Sequence, residues 1–126
     1  MKLLNLIKNI ANRDYIVEQG VSGGWTYRKW NSGIAECYGT FNLSSGSFSA
    51  YGTLYRSDTS VYFPSGLFTE SPIYVNANQK TFSGDGLAFP WRVTPNASVA
   101  YITLANSLPT SAGTSTLFIE AKGRWK

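Results

Sequence analysis

Histidine is absent from this chain of 126 residues, and that omission removes much of the usual enzyme chemistry at once. Serine and cysteine nucleophiles activated by imidazole need it, and so do most zinc sites. Cysteine occurs once, at Cys37, so no intrachain disulfide can form and the thiol lacks the base that would normally activate it. Within an apolar strand it reads as a small buried hydrophobe. Charge is sparse: 11 basic and 7 acidic residues leave a net charge of +4. The basic residues are scattered, with a modest cluster only at Lys122, Arg124 and Lys126. A nucleic-acid binder gathers such residues into a stripe, so neither DNA nor RNA is an expected partner. No stretch approaches the ~20 apolar residues of a transmembrane helix, and membrane insertion is not expected. Met1 to Ala11 carries a lysine and apolar residues, but Asn5, Lys8 and Asn9 interrupt it too early for the apolar core of a signal peptide.

The acidic residues offer little catalytic promise. Carboxylate-pair hydrolysis needs two acids flanking a cleft. Asp58, Glu70 and Asp85 fall in expected loops and Glu18, Glu36 and Glu120 on expected strands, each with a plainer role as a surface charge or a partner for lysine or arginine. Ser83-Gly84-Asp85-Gly86 has neither the lysine nor the following helix of a phosphate-binding loop, and one aspartate is too few ligands for calcium. No metal, no cofactor and no enzymatic activity are expected. Two glycosylation-type patterns, Asn42-Leu43-Ser44 and Asn96-Ala97-Ser98, carry no further information.

What is present points to strands. Glycine, serine and aromatic residues are frequent and helix-favouring runs are almost missing, which fits an all-β domain with many turns. A single domain of this length buries roughly two-thirds of the surface of its unfolded chain. Residues 1–13 read differently: Leu3, Ile7 and Ile10 recur at helical spacing, giving a short helix that either ends a coiled-coil shaft or packs on its own domain. From Asp14 onward the expected strands are Asp14–Gln19, Trp25–Trp30, Ile34–Phe41, Ser47–Tyr55, Ser60–Phe63, Ile73–Asn76, Leu87–Val93, Ser98–Ala105 and Thr116–Trp125. Turns are expected at Gly20 with Gly23-Gly24, at Leu43–Gly46 and at Pro64–Gly66, with a polar loop over Asn76–Gly86. Gly52 suggests a bulge or a close backbone approach. The expected architecture is an antiparallel β-sandwich over residues 14–126, jelly-roll-like.

The sharpest local signal is Trp25 to Gly39, WTYRKWNSGIAECYG. Asn31-Ser32-Gly33 supplies a type I turn with a glycine for the left-handed position, which sets Arg28 opposite Glu36 across the hairpin. Trp25, Tyr27 and Lys29 then share one face, and Thr26, Arg28 and Trp30 the other.

The run DYIVEQGVSGGWTYRKWNSGIAECYGT, together with the closing GRWK, resembles the C-terminal domain of tail-fibre and minor structural proteins from phages and prophages of Gram-positive bacteria. That family opens on "IVEQG…W.YRKW.SGIAE.WG" and ends near "GRW". The match covers Asp14–Thr40 and Ala121–Lys126, with Tyr38 where the family often has tryptophan, while Phe41–Glu120 has no residue-by-residue counterpart. The resemblance implies a homotrimeric tip domain of a virion or prophage particle, non-catalytic, attached to other tail or baseplate proteins. It also implies a host cell-surface polysaccharide as receptor, or else a purely structural capping role. Strand faces that stay apolar on both sides, Phe118 against Ile119 and Tyr101 against Ile102, fit cover by a second sheet or by neighbouring copies.

Sugar recognition uses flat aromatic faces with Asn, Asp, Gln and Arg around them, collected on loops of a rigid scaffold. Tyr55, Arg56 and Asp58, then Asn78 and Asp85, then Trp91 have that composition and are the candidate ligand-binding residues. Trp91 reads first as a core or trimer-interface tryptophan and only second as a ligand platform.

Overall fold

The computed structural model of the chain describes Leu3, residues 14–109 and residues 113–126. Nine strands follow in order: β1 (Ile16–Ser22), β2 (Trp25–Trp30), β3 (Ile34–Ser45), β4 (Ser49–Tyr51), β5 (Leu54–Tyr62), β6 (Tyr74–Ser83), β7 (Ala88–Pro95), β8 (Val99–Asn106) and β9 (Gly113–Arg124). They form a five-stranded sheet, β1-β2-β3-β9-β6, and a four-stranded sheet, β4-β5-β8-β7, with every pairing antiparallel. The helix expected over residues 1–13 lies, Leu3 apart, outside the described residues. Among the described residues no helix is long and apolar enough to cross a membrane.

Period-two alternation explains both sheets. On β9, Leu117, Ile119 and Ala121 are buried, and on β8 Ala100, Ile102 and Leu104 are buried, the two sets belonging to one core cluster. β9 lies between β3 and β6 in one sheet, and β8 between β5 and β7 in the other. The consecutive pair β8–β9 is thus the spine of both layers. Small residues at Ala35, Cys37 and Ala121 let the sheets approach, and Trp25, Phe41, Phe63 and Phe68 fill the end of the sandwich. Trp25 is 1% exposed, stacks at 4.5 Å on Phe41 and 5.5 Å on Phe63, and donates its indole N–H to the Tyr62 carbonyl at 2.7 Å. That bond joins the five-stranded sheet to the end of β5 and keeps the buried indole N–H paired.

The β2–β3 hairpin forms in the register expected. Gly33 adopts φ 97° and its N–H donates to the Trp30 carbonyl at 2.9 Å. Arg28 pairs with Glu36, their charged ends 3.9 Å apart. An exposed pair at that distance contributes little, ~0–1 kcal/mol, so register rests on the buried face. Gly39 has a different reason to be glycine: a Cβ there would lie 2.6 Å from the Gly24 carbonyl oxygen, in the way of the Trp25–Phe41 stack.

Several boundaries differ from expectation. Gly20 does not end β1 but lies within it against the Tyr27 ring, and the turn is Gly23-Gly24. Leu43, Ser44 and Ser45 are not a turn, because β9 is long enough to hold them in the ladder as far as Gly113. The expected strand Ser47–Tyr55 is split, with Gly52 (φ 63°) opening a two-residue turn rather than a bulge. The largest difference is at Asn76–Gly86, where polar residues as far as Ser83 belong to β6. Their outward faces are solvated while Val75, Ala77 and Phe82 pack on the core, and pairing with β9 outweighs their turn propensity.

Replacing Ile119 by alanine removes a fully buried side chain from the spine. The expected loss is about 2–5 kcal/mol, read as a lower urea midpoint with an unchanged slope; a change under ~1 kcal/mol would contradict this account of the core.

Candidate functional site

The outer face of the four-stranded sheet carries a cleft of about 250 Å³, lined by Tyr51–Arg56, Trp91 and Ala105. Its floor follows from register. Ala105 on β8 pairs with Arg56 on β5 and with Phe89 on β7, so a small side chain stands between two large ones. One wall is the β4–β5 hairpin, whose turn places Tyr51 opposite Leu54. The other is Trp91, which occupies the register shift between Pro90 and Arg92. A bulge re-aims a side chain, and here it sets the Trp91 ring 5.6 Å from that of Tyr51. Both rings remain open, Trp91 being 49% exposed. The volume lies below the ~300–1,000 Å³ of an enclosed small-molecule pocket, which suits a shallow subsite for a ring rather than a cavity.

Two arginines border these rings. The Arg56 guanidinium lies over Tyr51 at 4.9 Å and that of Arg92 over Trp91 at 5.2 Å. Asp58 meets Arg56 at 3.5 Å and accepts a hydrogen bond from the Thr103 hydroxyl at 2.8 Å. In the ladder Asp58, Thr103 and Arg92 form one row across the sheet.

Four of the six candidate residues therefore gather here: Tyr55, Arg56, Asp58 and Trp91. Tyr55 borders the cleft while its ring packs against the core, so it offers no platform. Asn78 is on the other outer face of the sandwich, on β6 opposite Phe118. Asp85 is in the turn between β6 and β7, where its carbonyl accepts from the buried Asn106 amide at 3.0 Å. Tyr51 and Ala105 drew no attention in the sequence. The Gly52-Thr53 turn that folds Tyr51 back over β5 was the available signal.

The five-stranded sheet presents a second concave region on its own outer face. One hollow of about 430 Å³ is lined by Asp14, Trp30, Ile34, Glu36 and Lys122. Beside it a hollow of about 180 Å³ adds Tyr38, Tyr74 and Glu120. Its polar groups are largely engaged with one another: the Trp30 indole donates to Glu36 at 3.2 Å, and the Tyr74 hydroxyl to Glu120 at 3.1 Å. The Ser32 hydroxyl donates to Asp14 at 2.5 Å and holds its carboxyl below the usual carboxylate range. Among the described residues no three metal-ligating side chains come together.

No protein-family model matches the chain, and none of the curated proteins matches it. Among solved structures it is similar to an N-truncated R1-type pyocin tail fibre, with a TM-score of 0.56. The superposition covers 95% of this chain and 94% of that one at 14% sequence identity. At that identity the likeness is one of fold.

Cys37 supplies a test of the packing beneath both faces. It is 1% exposed, and burial, reinforced by the adjacent Glu36, pushes its thiol up to about 12. The unfolded thiol ionises near ~8.5, so between there and about 12 the unfolded state has lost a proton that the folded state keeps. Stability conferred by this site is present below pH ~8.5 and falls by up to ~1.4 kcal/mol per pH unit above it. Denaturation midpoints of the wild type and Cys37→Ala, measured from pH 7 to 11, should converge as pH rises; a constant gap would refute the burial effect.

Proposed function

We propose that this chain is the C-terminal tip domain of a phage or prophage tail fibre from a Gram-positive host, acting without catalysis. In this reading it trimerises, joins other tail or baseplate proteins within the virion or particle, and binds a bacterial cell-surface glycan. The observation that carries the proposal is a likeness of fold to a pyocin tail fibre along nearly the whole of both chains. Its support in sequence is the DYIVEQG opening and GRWK ending.

The cleft fits the receptor role. Sugar rings present flat C–H faces that stack on aromatic side chains, while hydroxyls need donors and acceptors at the edge. Tyr51 and Trp91 provide the faces, and Arg56, Asp58 and Arg92 the edge groups. Strands hold the walls, so the site is formed before a ligand arrives and little ordering is needed on binding.

A structural capping role is the second reading, favoured by aromatic side chains on the outer face away from the cleft. Tyr62 is 70% exposed and Tyr101 53% exposed, and neither is covered within the protomer. A neighbouring copy would bury them.

Light scattering at micromolar concentration should return three times the mass of one chain; a monomer mass would contradict the trimer. Attachment to candidate host cells should fall about tenfold or more, ~1.4 kcal/mol, in Trp91→Ala with the assembly mass unchanged. Attachment unaffected by that change would favour the capping role.

A further inference from the structure

We propose that the cleft on the four-stranded sheet takes an anionic saccharide, whose ring stacks on Trp91 and Tyr51 and whose carboxylate or phosphate is held by Arg56 and Arg92. This rests on the glycan-binding role of the cleft and adds the charge of the ligand.

The argument begins with how the arginines are placed. Each guanidinium lies over an aromatic ring at the cleft wall. A guanidinium is planar, and its fork of N–H donors matches a carboxylate or phosphate in pairs. Arg56 shares its charge with Asp58 at 3.5 Å. No carboxylate among the described residues lies within ion-pair distance of Arg92. Two cations against one anion leave the rim with an excess positive charge.

The hollows on the opposite outer face offer an anion less. There Asp14, Glu36 and Glu120 line the walls beside Lys122, and the nearby Arg28 already faces Glu36 at 3.9 Å. Acids at those walls disfavour an anion, whereas the cleft has Arg92 at its wall. Asp58 is also informative. It accepts from Thr103 and holds Arg56 in place, but its charge opposes an incoming anion, so the bound group belongs nearer Arg92 than Asp58.

The test is isothermal titration of the assembled protein at low salt with four probes: a galacturonate trimer, the neutral galactose trimer, galactose 6-phosphate and galactose. A charged probe should bind at least tenfold more tightly than its neutral counterpart, with the margin shrinking as salt rises. Whichever charged probe binds tells a carboxylate ligand from a phosphate one. Arg92→Gln should remove most of the margin, whereas Asp58→Asn should widen it several-fold. Ala105→Leu, which fills the floor, should abolish binding, with thermal melts confirming that each variant is folded. Equal binding of neutral and charged saccharides, lost in Ala105→Leu, would overturn the charge assignment and leave the glycan role standing. Binding by none of the probes, while host cells still attach through Trp91, would overturn it too. Failure of host attachment itself is the separate outcome that counts against the glycan role.

Discussion

The fold depends on one constraint: β8 and β9, consecutive in the chain, must each bury an inner face while pairing on both edges. Leu117, Ile119 and Ala121 face Ala100, Ile102 and Leu104 across the sandwich, all in one cluster. Two flanking strands on each side satisfy the backbone of the pair, so neither becomes an edge. The other strands take their positions from this spine. β3 and β5 line one side of it, and β6 and β7 the other, which is why a polar segment such as Asn76–Ser83 becomes a strand at all.

The same constraint shapes the cleft. Because β8 is central, its outward side chains are crowded by those of β5 and β7, and a residue as small as Ala105 leaves a depression there. The shift at Pro90/Arg92 turns Trp91 to one side of that depression, and the β4–β5 turn brings Tyr51 to the other. Inner-face packing thus fixes an outer surface, and the site inherits the rigidity of the ladder rather than the mobility of a loop. Polar satisfaction supports the same rigidity. Among the described residues no buried side-chain nitrogen or oxygen lacks a partner, and Asn106, fully buried at the end of β8, ties the β6–β7 connection through the Asp85 carbonyl.

The two outer faces differ in how their charged groups are engaged. On the five-stranded sheet the acids are held by Trp30, Ser32 and Tyr74 within the domain. On the four-stranded sheet the arginines rest on aromatic rings at an open cleft. A face whose polar groups already satisfy one another has less to gain from a ligand than one whose donors still point to solvent. This difference, more than the volume of either hollow, singles out the cleft.

How much of this was legible in the chain depended on range. The absence of histidine, the alternation of β8 and β9, and the Asn31-Ser32-Gly33 turn with Arg28 opposite Glu36 are local patterns, and the sequence by itself determined them. Arg56, Asp58 and Trp91 were recognisable by residue type, though not as neighbours. Only the tertiary structure decided that Asn76–Ser83 is a strand, that Asn78 is on the face away from Trp91, and that Ala105 is the floor of a cleft. Those outcomes depend on register between strands far apart in the chain, such as β6 with β9. Local propensity reports what a segment prefers when alone; pairing and burial against a distant partner set what it does, and they outweigh that preference.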